Sequence, residues 1–252
     1  GGRTRGGGAP GRPGGGCARA DGVPPHGRVK EAALTPAPAL AASSDRPASG
    51  CGVTLNPLNP TVTDGSLKYS AVSLTINREK RTADLTVQAP TGPQPSTPEE
   101  ILTAGDQFWA LRAFRELDDA LLRLRVNEPE IGTIVVRTEG DGAAVVAIDK
   151  TLLAHRSHWA VREIIHFMKR TLKRVDLTSR PFFAFIEPGS AFAGSLFELA
   201  LAADRSYILH DDNEDNVIAL SPWHLAPPTT TTGVTRPQPP LPAPPATTGT
   251  AP

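Results

Sequence analysis

The chain has 252 residues, and 26 Lys and Arg residues balance 26 Asp and Glu residues, so the formal net charge is zero. A balanced charge gives no sign of the basic face that nucleic acid binding requires. No apolar run approaches the ~20 residues of a membrane span, and two cysteines, Cys17 and Cys51, form neither a disulfide framework nor a CxxC zinc motif.

Glycine and proline collect at the two ends of the chain. Residues 1–16 are almost entirely Gly, Arg, Pro and Ala, and residues 226–252 are almost entirely Pro, Thr, Ala and Gly. Neither end has the apolar side chains that offset roughly 1–2 kcal/mol of backbone entropy per ordered residue. We predict a disordered segment and linker over residues 1–59, with a short helix near Val29–Leu34. One folded domain over residues 60–223 and a disordered tail over residues 224–252 follow.

The folded part begins with a predicted β-hairpin. Apolar and polar residues alternate through residues 67–76 and again after a polar turn at residues 77–80. The intervening positions are polar, so we expect one face of the hairpin to be solvated. The positions predicted to face the core are Val72, Leu74, Ile76, Ala83, Leu85 and Val87.

A long helix follows the hairpin. Thr97 is a good N-cap and Pro98 suits the first helical position. Gly105 predicts a break, after which the helix resumes to about Val126. Its apolar stripe, in steps of three and four, consists of Leu111, Phe114, Leu117, Leu121 and Leu124.

The second half alternates strands and helices. We predict a strand over residues 132–138, a second apolar run at residues 143–148 and an amphipathic helix over residues 157–176. A buried strand Phe182–Ile186 leads through a tight loop to a helix at residues 195–203 and a last strand at residues 206–209. This alternation predicts a layered α/β core.

The loop that enters the last helix is the first candidate for chemistry. A helix N-terminus presents backbone N–H groups that hold a developing oxyanion, such as a thioester enolate. The candidate donors are the amides of Ser195 and Leu196, and Glu198 lies one turn further, where it suits general acid or base catalysis. The alternative is structural, with Glu198 on the helix surface, and spacing alone favours it.

Glu187 and three histidines are weaker candidates for a functional role. Glu187 ends a buried strand, where we expect it to bond to nearby amides rather than to act on a substrate. His155, His158 and His166 lack a further ligand at a recognisable spacing, so we predict no metal site.

Residues 182–209 carry a family resemblance. The order of a strand, a glycine-containing loop and a helix of the form ELAxxxD resembles the crotonase (enoyl-CoA hydratase) superfamily. The positions of the ELAxxxD pattern are filled here by Glu198, Leu199, Ala200 and Asp204. The resemblance implies a partial crotonase-like (ClpP/crotonase) α/β fold. It also implies an acyl-CoA substrate with no separate cofactor, a cytoplasmic location and a homo-oligomer when the protein is complete.

Further segments resemble one branch of that superfamily. They lie at residues 41–47, 113–124, 127–147 and 153–163. The resemblance implies a lyase that opens the ring of 2,3-epoxybenzoyl-CoA in aerobic benzoate degradation. Two alternatives stay open, namely a noncatalytic acyl-CoA-binding or assembly half, and an enoyl-CoA hydratase or isomerase.

The sequence departs from the family pattern at the residues that catalysis requires. The oxyanion donors would be the amides of Ser195 and Ala147. The earlier loop of the family has the pattern Ala-Gly-x-Asp, whereas its nearest equivalent here, residues 145–149, has valines and no glycine, and a valine Cβ resists the backbone freedom that glycine gives. The second glutamate of the family is absent, because the chain has Ser221 and Pro222 at that point. We therefore expect a fragment that is inactive by itself, with Glu198 as its single catalytic candidate.

Overall fold

The computed structural model describes residues 25–44, 52–209 and 216–225. They belong to two compact units, one up to Gly52 and one from Val53 onward. The first unit contains helices α1 (Val29–Leu34) and α2 (Ala37–Ala42), neither of which has a buried residue. The helix predicted at Val29–Leu34 is confirmed. Of the segments predicted to be a disordered segment and linker (1–59) or a disordered tail (224–252), residues 1–24, 45–51 and 226–252 lie outside the described residues.

The second unit is built on one mixed sheet. Its described residues form seven strands whose spatial order follows the chain order. The strands are β1 (Thr61–Val62), β2 (Ser66–Lys68), β3 (Val72–Asn77), β4 (Thr82–Gln88), β5 (Thr133–Glu139), β6 (Phe182–Ile186) and β7 (Arg205–Ile208).

The mode of strand pairing changes once across this sheet, at β4. Strands β1 to β4 pair antiparallel, and β4 to β7 pair parallel. The connections between the parallel strands run through helices, as crossover units require. These are α3 (Pro98–Ala104), α4 (Trp109–Asn127), α5 (Gly142–Ala154), α6 (Trp159–Asp176) and α7 (Gly194–Ala202), and a short helix α8 (Pro222–Leu225) follows the sheet.

The two faces of the sheet differ in burial. Leu74, Leu85, Val136 and Ala184 are register partners across four strands, and all four are buried. The neighbouring row on the other face is half-buried or exposed, and it consists of Thr75, Asp84, Val135, Phe183 and Arg205. One face therefore forms the core, as the alternation predicts.

Most predicted elements are confirmed to within two residues. The mixed α/β class and the hairpin hold, although the first predicted strand is divided into β2 and β3 by a turn at residues 69–71. A buried Glu116 carboxylate on α4 holds that turn, accepting from the Ser70 hydroxyl at 2.5 Å and the Ala71 amide at 2.7 Å. Every residue of the predicted α4 stripe is buried.

The start of α3 offers a test of local helix capping. The Thr97 hydroxyl accepts from the Glu100 amide at 3.3 Å, and the Glu100 carboxylate accepts from the Thr97 amide, which forms a capping box. Replacing Thr97 by alanine should lower the free energy of unfolding by about 1 kcal/mol. Urea unfolding followed by circular dichroism measures this loss, and a Thr97→Ser variant, which keeps the hydroxyl, should be close to the wild type.

Candidate functional site

Helix α5 occupies the residues where the family resemblance implies an oxyanion loop. The Asp141 carboxylate accepts from the Ala143 amide at 2.8 Å and caps the helix. Val145, Ile148, Asp149 and Leu152 are buried at spacings of three and four residues, which are helical spacings.

The helical course of α5 corrects the role predicted for Ala147. Its amide lies in the interior of α5, where the backbone N–H groups bond to carbonyl oxygens four residues earlier. The prediction that Ala147 donates from an oxyanion loop is therefore wrong.

Ser195 lies at the N-terminus of α7, as predicted, but its amide is already bonded. It donates to Oδ2 of the Asp149 carboxylate at 2.6 Å. The neighbouring amides also have internal acceptors, since Gly194 donates to the Ala219 carbonyl at 2.9 Å, and Leu196 and Phe197 donate to the Ala193 carbonyl. All four N–H groups at the start of α7 are thus paired within the chain.

The segment at residues 219–221, which follows the last strand, covers the Asp149 carboxylate. Ala219 forms an isolated parallel bridge with Ala193, and the Ser221 hydroxyl donates to Oδ2 of Asp149 at 3.1 Å. Ser221 is buried, and α8 begins directly after it. The Asp149 carboxylate is therefore enclosed by α5, α7 and this segment.

Burial shapes the electrostatics of Asp149, which has no exposed surface. The pKa of Asp149 is raised from its ordinary 3.8 to about 6, mainly by loss of solvation, and the negative charge of Glu198 acts in the same direction. Hydrogen bonds from Ser195 and Ser221 act in the opposite direction. Two buried atoms, Oδ1 of Asp149 and Oγ of Ser195, lack a hydrogen-bond partner among the described residues.

Gly194 allows this close approach. Its φ is +49°, and a Cβ atom built there would lie 2.0 Å from Oδ2 of Asp149. A glycine is required here both by the backbone conformation and by the position of the carboxylate.

Glu198 lies on α7 beside the imidazole of His224. Oε1 of Glu198 is 3.6 Å from Nε2 of His224, and both side chains are largely buried. The Ser221 amide donates to Nδ1 of His224 at 3.2 Å, so Nε2 carries the hydrogen of the neutral ring and faces Glu198. Ser221, His224 and Glu198 thus adjoin Asp149 in one polar cluster. A catalytic role for Glu198 stays a prediction.

Two other residues singled out from the sequence lie outside this cluster. Asp204, the last residue of the ELAxxxD pattern, lies between α7 and β7, and its carboxylate accepts from the Phe182 amide of β6 at 2.8 Å. Glu187 pairs with Arg137 at 3.4 Å, and Arg137 also bonds to Asp84 at 2.5 Å.

Sequence reasoning missed Asp149, Ser221 and His224 as site residues. A single acid within the apolar run of α5 was the available signal for Asp149. Among the described residues, three or more His, Cys, Asp or Glu side chains nowhere group as metal ligands. In the same part of the chain, no helix has the length and apolar composition needed to cross a membrane.

A curated relative matches most of the chain. The chain is 49% identical over 185 residues to the benzoyl-CoA-dihydrodiol lyase of Aromatoleum evansii. The match covers 73% of this chain and 33% of that protein, so the chain spans about a third of the relative's length. No protein family model matches the chain.

Solved structures of enoyl-CoA hydratases are more distant neighbours. One from Geobacillus kaustophilus HTA426 is 15% identical, with a TM-score of 0.35 over 57% of this chain and 47% of that one. A putative one from Streptomyces coelicolor A3(2) is 17% identical, with a TM-score of 0.33 over 65% and 50%. Sequence identity alone therefore relates the chain to about one third of a benzoyl-CoA-dihydrodiol lyase.

Proposed function

We propose that this chain is a noncatalytic part of a crotonase-type lyase that opens the ring of 2,3-epoxybenzoyl-CoA in aerobic benzoate degradation. The reaction class is that of the relative, whose name identifies a lyase for a benzoyl-CoA dihydrodiol. The epoxide substrate is the one that the sequence resemblance implies.

The absence of catalysis rests on one observation, the bond from the Ser195 amide to Asp149. An oxyanion needs donors aimed at the position where its charge develops. Here a carboxylate of the same chain holds that position, and its negative charge would repel an enolate. With the other α7 amides bonded internally, this helix has no N-terminal donor left for a substrate.

The same observation argues against a hydratase or isomerase activity of the chain. Those reactions on an acyl-CoA also pass through a thioester enolate, so they need the same free donors. A binding or assembly role does not. The proposal includes CoA as part of the substrate rather than as a cofactor, a cytoplasmic location and a homo-oligomer for the complete protein.

A turnover assay tests the proposal. The purified chain and the Aromatoleum evansii lyase are incubated separately with 2,3-epoxybenzoyl-CoA, and formate and the ring-opened CoA thioester are measured. We expect product with the lyase and none above the buffer blank with the chain, because the α7 donors are occupied. Turnover by the chain well above the blank would refute the proposal.

A Glu198→Gln variant of the chain identifies the source of any such turnover. Its side chain has nearly the same shape but cannot exchange a proton as an acid or base. If the wild-type chain were active and this variant were not, Glu198 would be catalytic and the closed state of α7 would not be the working one.

A further inference from the structure

A cavity of about 400 Å³ opens in the second unit, between the segment near Val53 and the first two thirds of α6. No residue of α5, α7 or α8 lines it, so it is separate from the Asp149 cluster. Its volume lies within the range of small-molecule sites.

The cavity has an apolar interior. The buried side chains of Ile101, Leu111, Ala160 and Ile164 line it on the inside. The less buried residues around them are Val53, Leu55, Trp159 and Phe167. Two aromatic rings and several branched aliphatic groups suit a compact apolar ligand group such as a benzene ring.

The mouth of the cavity carries positive charge in a defined position. The Arg170 guanidinium lies over the Phe167 ring, 4.8 Å from its centroid. A guanidinium stacked on a ring keeps its in-plane N–H groups available to a carboxylate. The Arg170 side chain makes no hydrogen bond or ion pair with the described residues. Glu163 adds one exposed carboxylate to the lining, seven residues before Arg170 on α6.

We propose that this cavity binds a small amphipathic anion, namely a carboxylate carried on an aromatic ring. The ring occupies the apolar interior near Ile164, and the carboxylate accepts charge-assisted hydrogen bonds from Arg170. His166, exposed at the same mouth, lies one turn of α6 from Arg170 and adds a second donor. This inference does not depend on the function proposed above, which rests on α7.

Benzoate is the probe, and benzamide is its uncharged counterpart of nearly the same shape. In a titration of the full chain followed by ¹H–¹⁵N NMR, we expect benzoate to bind with a roughly millimolar dissociation constant. The shifted amides should be those of the cavity residues. Benzamide should bind about tenfold more weakly, since it lacks the charge.

Two variants locate the binding groups. Arg170→Gln should weaken benzoate binding about tenfold and leave benzamide binding almost unchanged. Trp159→Ala should weaken both probes, because it removes part of the apolar lining. Both side chains are exposed, so the fold should be kept, and an unchanged thermal midpoint checks this.

Lys173→Gln is the matched control, since it removes another exposed cation of α6 that does not line the cavity. It should change benzoate binding less than about twofold. Equal affinities for benzoate and benzamide, equal effects of Arg170→Gln and Lys173→Gln, or no shifts at the cavity would each overturn the proposal.

Discussion

Replacing Asp149 by asparagine should raise the free energy of unfolding above pH 6 by up to about 3 kcal/mol. Burial raises the pKa of Asp149 from 3.8 to about 6, so the folded protein holds a proton there that the unfolded chain releases. Ionising the carboxyl thus costs stability at high pH. The cost fades as the pH falls from about 6 toward 3.8, and the advantage of the Asp149→Asn variant should fade with it.

The difference in unfolding free energy between variant and wild type isolates this one group, because other carboxylates titrate in both proteins. Urea unfolding at several pH values measures it. The groups that act on Asp149 are Ser195 and Glu198 on α7 and Ser221 just before α8. An Asp64→Asn variant is the control, since that side chain is fully exposed, and its free energy of unfolding should stay within about 1 kcal/mol of the wild type. A flat difference for Asp149→Asn would show that the carboxylate is solvated.

The fold was predictable because its signals are local. The α4 stripe and the alternation in β3 and β4 each report which face is buried, and these patterns need no knowledge of the remaining chain. Thr97 and Pro98 likewise specify the start of α3 by their own chemistry.

The site was less predictable because it is formed by residues far apart in sequence. Asp149 and Ser195 meet across 46 residues, and Asp149 and Ser221 across 72. The run at residues 143–148 reads as β-branched and apolar, which suits an extended segment or a helix equally well. The Asp141 cap and the burial of Val145 and Asp149 on one face settle it as helix. Family resemblance pointed to a loop there, and so misplaced Ala147.

Replacing Gly194 by alanine should destabilise the chain by about 3 kcal/mol or more. A Cβ atom would lie 2.0 Å from Oδ2 of Asp149, which is much shorter than any non-bonded distance between a carbon and an oxygen atom. Either the carboxylate moves, losing its bonds to Ser195 and Ser221 while still buried, or α7 shifts. The φ of +49° adds roughly 1–2 kcal/mol for any residue with a Cβ. Urea unfolding measures the loss.

Gly189→Ala separates backbone strain from the clash. Gly189 also has a positive φ, +82°, but a Cβ there meets no atom within 4 Å. Its substitution should cost only the strain, about 1 kcal/mol, and equal losses at the two glycines would contradict the clash.

A double-mutant cycle then assigns the excess loss to Asp149 itself. In an Asp149→Ala background the carboxylate is gone, so Gly194→Ala should cost little more than Gly189→Ala does. A strong coupling between the two substitutions would mean that the Asp149 carboxylate is what requires a glycine at the start of α7. The same carboxylate would then occupy the Ser195 amide and keep an external anion from binding there. Additive losses would instead locate the constraint in the backbone, and the Ser195 amide would then be the more accessible donor that the sequence predicts.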